Sequence, residues 1–450
     1  MKRLFHITLL MSCLLAACNQ DKDVFTPDPL FPDSLVTSDI SGQIINASNE
    51  PVVGAIVSLD LSTQSTDENG YFRFKNVEVK ARRTLLQVTK DGYFKSGRAV
   101  IPHQASETQL EIQLLEKNIQ AVFDGEMGGT VTLPNGTVLE IPDNTVLDQN
   151  GVGYANQVDI LAHALTLQEK ESLQKMPSDF KGINTDGKLQ LLESYGMFLF
   201  DWSDANQQKL SIVPGKKVTI SFPIVNNILA QAPAMIGLWY FDSAEQIWKE
   251  EGNAILQDGK YVAEVGKTGF WNFSLSHDFV SVKGVLKNEN NQALSNMPFL
   301  VEIENGGVAG FGHVDKAGVI VINIPKNTTS KIVVLEECND VDYSTTIGAL
   351  SQDALVGNLQ VGNSSDYSFL TGKLLDCDEN KVQNGYVFFN VNTKTYIFPI
   401  SDGVFKGHIN ACDFTSATLI AHDLDTQKSS DLIDLEIFEL TEAGDISVCL

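Results

Sequence analysis

Thr66-Asp67-Glu68-Asn69-Gly70-Tyr71-Phe72-Arg73-Phe74 is the stretch on which the reading of this 450-residue chain turns. The Asp67 side chain can accept a bond from the backbone two residues on, and Gly70 supplies a positive φ. Together they reverse the chain into the alternating run Tyr71 to Phe74. Outward from this hairpin lie Ser41-Gly42-Gln43-Ile44-Ile45, Glu50-Pro51-Val52-Val53-Gly54-Ala55-Ile56-Val57-Ser58-Leu59 and Asp91-Gly92-Tyr93. Short alternating runs punctuated by Gly, Asp and Asn are strands joined by tight turns.

The same order of features returns twice. Lys283-Gly284-Val285-Leu286, Asn296-Met297-Pro298 and Val314-Asp315-Lys316-Ala317-Gly318-Val319-Ile320 make a second copy. Thr371-Gly372-Lys373-Leu374-Leu375, Asn384-Gly385-Tyr386-Val387-Phe388 and Ser401-Asp402-Gly403-Val404-Phe405 make a third. The interval from first to last glycine drifts through 28, 34 and 31 residues. Each copy is long enough for its own core, so loop insertions explain the drift better than a solenoid does.

The first copy resembles the carboxypeptidase regulatory-like domain, a seven-stranded prealbumin-like sandwich, in its Pro-x-x-Gly-Ala turn and Thr-Asp-x-x-Gly-x-Phe hairpin. Between the first and second copies, Gly128-Gly129-Thr130-Val131, Leu133-Pro134-Asn135-Gly136-Thr137-Val138, Leu139-Glu140-Ile141-Pro142 and Lys217-Val218-Thr219-Ile220-Ser221-Phe222-Pro223 resemble a ZU5-type β domain. Leu165 to Lys175 departs from that pattern. Thr166 and Glu169 form a capping box before Pro177, which predicts one inserted short helix. The expected fold is all-β, in tandem immunoglobulin- or prealbumin-like sandwiches. The expected divisions are a signal peptide at 1–17, a tether at 18–37, a first sandwich at 38–116, a ZU5-like domain at 117–277, and further sandwiches at 278–364 and 365–450.

Length and composition agree with several cored domains: 43% of residues are hydrophobic, and a domain takes roughly 100 to 200 residues. A formal net charge of −25 repels phosphate backbones, so no nucleic-acid partner is expected. At the N-terminus, Lys2 and Arg3 precede an apolar run, Leu4 to Ala17, shorter than the roughly 20 residues a spanning helix needs. Leu15-Ala16-Ala17-Cys18 resembles a bacterial lipobox, which makes Cys18 the lipid attachment point and the membrane a partner. The acidic stretch Asn19 to Asp23, followed by Pro27, Pro29 and Pro32, reads as a tether and resembles a surface-export signal. Asp33-Ser34-Leu35 resembles an O-glycosylation site. The later apolar stretch Ile228 to Phe241 is interrupted by Gln231 and Pro233 and is too short to span.

The motifs that carry chemistry elsewhere are incomplete here. His103, His163, His277, His313, His408 and His422 show no zinc-ligand spacing. Asn272-Phe273-Ser274 occupies the place of the His-Phe-Ser triplet at which some ZU5 proteins cut themselves, and asparagine is no general base. Gly266-Lys267-Thr268 lacks its phosphate-loop glycine, with Tyr261 in that place, and Gly307, Gly310 and Gly312 lack a following helix. Asp376, Asp378 and Asn380 alternate like calcium ligands, but Cys377 interrupts them and Val387 stands at the twelfth position. No catalytic residue, metal or cofactor is expected.

Two sets of residues carry binding and stability expectations. Trp202, Trp239, Trp248 and Trp271 all fall in the middle block, where they serve either as core or as a sugar-stacking surface. Cys338, Cys377, Cys412 and Cys449 are even in number, which in an exported chain suggests disulfides in any of three connectivities. Cys377–Cys412 with Cys338–Cys449 leads, followed by Cys412–Cys449. Related adhesin modules cross-link a Lys to an Asn, and Lys283 and Lys373 lie on suitable first strands, without evident partners. The expected function is a non-catalytic, lipid-anchored protein of the outer membrane and cell surface that binds a ligand, possible partners being a glycan or an envelope protein. The alternative is an assembly accessory of an outer-membrane transporter or secretion complex.

Overall fold

The computed structural model describes residues 34–102, 107–166, 170–295, 297–303, 307–315, 317–335, 343–361, 367–392, 394–410 and 414–450. The chain is nearly all strand, with short helices at Lys170–Lys175 and Asn226–Leu229. No helix among the described residues is long and apolar enough to cross a membrane.

The first sandwich is built on Leu35–Ile45, which pairs antiparallel with Tyr71–Lys80 and parallel with Glu107–Gln113. Facing this sheet are Ser62–Ser65, Ile56–Leu59, Thr84–Thr89 and Ser96–Val100, in that order. Alternation puts Ile40, Ile44, Val57, Phe72, Leu86 and Ile112 into one core. The Asp67 carboxylate accepts the backbone N–H of Asn69 and of Tyr71, each at 2.9 Å, and Gly70 has φ +69°. A Cβ at Gly70 would stand 2.4 Å from the Ile44 carbonyl oxygen, so space as well as φ demands glycine.

The strand order repeats. Phe279–Lys287 lies between antiparallel Val319–Pro325 and parallel Ala354–Gln360. Tyr367–Leu375 lies between antiparallel Val404–Asn410 and parallel Leu440–Ser447. The Asp315 carboxylate repeats the Asp67 turn by accepting from Ala317 and Val319. The third copy closes differently: Asp402 and Gly403 have φ +51° and +72°, and Ser401 and Val404 exchange backbone bonds across this two-residue hairpin. One further repeat stands at the end of each first strand, where Asn46, Asn288 or Asp376 accepts backbone N–H bonds from its own turn.

The middle block forms a barrel-like, mostly antiparallel sheet around Leu189–Ser203, which pairs with Gln157–Leu165 on one side and Gly269–His277 on the other. The second copy is joined to it directly. Asp278 alone separates Gly269–His277 from Phe279–Lys287, and Ser194 pairs with Val308 across the boundary. Leu300, Ile303, Val308 and Val333 of the second copy share a core with Leu192, Trp239 and Trp248.

The domains are not strung in a line. The first sandwich touches all three others. Arg83 reaches Asp179 and Gln246 of the middle block, Arg98 stacks on Phe311 of the second copy, and Tyr71 stacks on Tyr386 of the third at 4.0 Å.

Candidate functional site

The joints enclose a concave surface. A cavity of about 470 Å³ lies where all four domains meet, walled by Gln43 and Tyr71, by Gln174 of the short helix, by Phe311, and by Phe388 and Tyr396. A smaller cavity of about 120 Å³ shares Gln109, Glu111, Phe311 and His313 with it and reaches Arg98 and Lys181. The walls come from stretches of the chain far apart in sequence, and it is their packing that creates the cleft.

Arg98 holds one wall. Its guanidinium, 2% exposed, donates to the carbonyls of Leu173, Gln174 and Met176 at 3.0, 2.8 and 3.2 Å. These are the unpaired acceptors at the C-terminal end of Lys170–Lys175, where the helix dipole also favours a cation. Burial draws the guanidinium down to about 9, and it stays protonated at neutral pH. His313, facing Arg98, is pushed down to about 4 by burial and by that charge. Burial also lowers the Lys181 ammonium, which lies 5.4 Å from the Phe279 ring.

The surrounding charges are taken up in pairs. Arg83 binds Asp179 at 3.0 Å, Arg73 binds Asp39 and Glu107 at 3.1 and 3.0 Å, and the Gln174 amide donates to Glu111. The Gln109 amide donates to the Ile397 carbonyl at 2.9 Å. Amides and aromatic rings share the walls of the larger cavity with aliphatic side chains such as Leu110, Leu173 and Leu335, and the amides and rings are groups that hydrogen-bond and stack on a neutral polar ligand.

The four indoles are not a surface. Trp202, Trp239 and Trp248 are 0% exposed and Trp271 is 1%. Trp202 and Trp271 fill the barrel, while Trp239 and Trp248 pack between the barrel and the second copy. The sheet is covered on both faces, so alternation sends every indole inward.

Cys377 is disulfide-bonded to Cys449, with Cα atoms 5.3 Å apart, which corrects both pairings expected from sequence. The cause is register. Leu375 pairs with Ser447 in the parallel first and last strands, and both cysteines follow two residues later at the same end. Cys18, Cys338, Cys412 and His103 lie outside the described residues, as does the tether through Asp33; residues 35–37, expected to end the tether, instead begin the first strand Leu35–Ile45.

The remaining candidates resolve into structural parts. Asn272 and Ser274 do touch, Ser274 Oγ donating to Asn272 Oδ1 at 2.6 Å, with Ser194 Oγ donating to the same atom at 2.5 Å. This is a buried bridge between paired strands, beside a register shift between Ser194 and Gly196 on the strand that faces Phe273 and Ser274. Lys283 and Lys373 point outward and are exposed, and Lys373 pairs with Asp445. The Asp376 carboxylate caps its own turn, whose N–H bonds hold it below the usual carboxylate range. His277 pairs with the buried Glu193 at 2.7 Å.

No protein-family model matches the chain. Cartilage intermediate layer protein 2 of Mus musculus is 25% identical over 224 residues, which is 48% of this chain and 19% of that protein. Cartilage intermediate layer protein 1 of Sus scrofa is 28% identical over 116 residues, or 26% and 19%. The chain thus spans about a fifth of the length of these curated relatives. Among solved structures, the shaft pilin SpaA of Lactobacillus rhamnosus GG is 11% identical with a TM-score of 0.20, covering 38% of this chain and 98% of that one. The TIE protein of Bacillus anthracis is 8% identical with a TM-score of 0.18, covering 81% and 71%. Neither overlap bears on what this chain does.

Proposed function

We propose that the chain is a non-catalytic, lipid-anchored cell-envelope protein, attached at Cys18, that presents its β domains as one packed body for ligand binding or adhesion. The three sandwiches read as carboxypeptidase regulatory-like modules and the middle block as a ZU5-like domain. The observation that carries the reading is where the chemistry-bearing side chains go: Arg73, Arg83, Arg98, Tyr386 and His408 are committed to joints around a cleft. With the indoles buried, that cleft is the place for a small saccharide or a similar polar ligand. The Cys377–Cys449 bond supports an oxidising, exported location.

The test is metabolic labelling with palmitate and protease shaving of intact host cells, comparing wild type with Cys18→Ala. Acylation and shaving of wild type, with loss of the variant from the membrane, is the expected result. Acylation without shaving places the protein facing the periplasm and overturns surface display. A second reading, an assembly accessory, is favoured by one surface feature. Thr415 bonds Ile437, which brings Phe414 (44% exposed) and Phe438 (59%) to one end of the third sandwich beside Leu440 (52%). An apolar tip of this kind suits a protein partner. Capture of a defined envelope complex that is lost on Phe438→Ser would favour that reading over ligand binding.

A further inference from the structure

We propose that the third sandwich, residues 367–450, docks onto the rest of the molecule through neutral histidines and undocks when they take up protons. Its two joints are each keyed by one imidazole. At the joint with the first sandwich, His422 stacks on Tyr386 at 4.9 Å and is 3.3 Å from the Asn69 amide nitrogen through Nε2. Asn69 Nδ2 carries only hydrogens, so Nε2 must accept, and Nδ1 faces Ser429 Oγ at 2.9 Å. A proton on Nε2 sets donor against donor and removes the bond. The charged groups facing this ring are Asp67 and Glu68 of the first sandwich. They favour the proton, and burial outweighs them.

At the joint with the second copy, His408 Nδ1 is 2.9 Å from Ser295 Oγ. The same hydroxyl oxygen accepts the His408 backbone N–H at 3.2 Å, which leaves its proton and its second lone pair to face Nδ1. The other packed neighbour is the uncharged Phe369 ring, 5.1 Å away. Protonating this imidazole places a charge with only a hydroxyl to receive it in a pocket where Ser295 is 3% and His408 9% exposed. By contrast His163, at the joint of the first sandwich and the barrel, donates Nε2–H to the Glu116 carbonyl at 2.7 Å, a bond that a second proton on Nδ1 leaves intact. Lys175 is the cation that faces it. His163 and His313, both lowered by burial at joints of the first sandwich, respond in the same sense, and the third sandwich is the part held by such imidazoles at both of its joints.

Burial holds both key imidazoles below the ordinary histidine range, His408 down to about 4. The docked form binds fewer protons than the undocked one. Docking is thus strongest above about pH 6.5 and weakens as pH falls toward 4. For His408 alone the docking equilibrium drops by at most roughly 20-fold between pH 7 and pH 5, the limit reached when undocking restores the ordinary histidine value. What remains at the joint includes the Tyr71–Tyr386 stack, the Tyr386 hydroxyl on Asp67 at 2.7 Å and Lys75 on the Gln383 carbonyl at 2.8 Å. Undocking uncovers Tyr386 and Phe388, now 0% and 7% exposed.

The test is hydroxyl-radical footprinting of the full chain at pH 7.5 and pH 5, read by mass spectrometry. Labelling of Tyr71 and Tyr386 is expected to rise at least fivefold at pH 5, reversibly, while Trp202 and Trp271 stay protected. Protection of Tyr386 at pH 5, or its labelling together with Trp202, overturns the proposal. In a chain carrying His408→Gln and His422→Gln the acid response is expected to disappear, and an unchanged response contradicts the mechanism. Should that pair not fold, each single glutamine variant is expected to show a reduced response, and a full response from both refutes it.

Discussion

Replacing Arg98 by methionine isolates the contact that fixes the helix against the first sandwich. The change keeps most of the stem but removes the guanidinium from over the Phe311 ring and strands the carbonyls of Leu173, Gln174 and Met176, which now receive bonds of 2.8 to 3.2 Å. A buried acceptor left without a donor costs about 1 to 3 kcal/mol, and relief of the buried charge returns part of that, for a net loss of about 3 kcal/mol. The assay is urea unfolding followed by tryptophan fluorescence. All four indoles lie in the middle domain cores, so the signal reports the side of the joint that the helix belongs to. With a slope of about 2 kcal/mol/M, the midpoint is expected to fall by about 1.5 M. A shift below about 0.3 M, with the slope unchanged, would refute the idea that this guanidinium clamps the two domains.

Three further outcomes follow from other parts of the molecule. Peptide mapping under non-reducing conditions is expected to recover Cys377 linked to Cys449, and Cys377→Ser is expected to cost the third sandwich about 4 kcal/mol of chain entropy in thermal melts; recovery of Cys377 with Cys412 contradicts the register argument. Gly70→Ala is expected to destabilise by 2 kcal/mol or more, roughly twice the cost of Gly92→Ala, because both have positive φ but only the first meets a carbonyl oxygen. Lys283→Ala and Lys373→Ala should leave melting temperatures within about 2 °C, since both side chains are exposed. The intact mass of the wild type should show no loss of ammonia, and a loss would reveal a cross-link.

The hairpin at Asp67 was legible because every bond it needs is local: a side chain, its own turn and one glycine. The third copy fits the pattern loosely for a physical reason, since two positive-φ residues at Asp402 and Gly403 replace the longer Asp-x-x-Gly turn. The joints were not legible. Asp67 and Tyr386 are 319 residues apart, and nothing in the pattern of Gly385 to Phe388 says which of its faces meets another domain. Arg98 likewise belongs to no motif in the sequence, and the helix end above it is what makes its burial tolerable. The indoles illustrate the same limit. The hairpin of Trp239 and Trp248 alternates as a half-exposed one does, yet the second copy covers its outer face.

Small-angle scattering of the chain from Ser34 onward at pH 7.5 tests the central claim, that four domains form one body around the first sandwich. A compact chain of this size has a radius of gyration of about 22 Å, and the packed arrangement is expected near 25 Å. Four domains in line, touching only their sequence neighbours, give about 40 Å. That value would contradict the joints at Arg98, Tyr71 and Ser295, and with them the cleft they enclose.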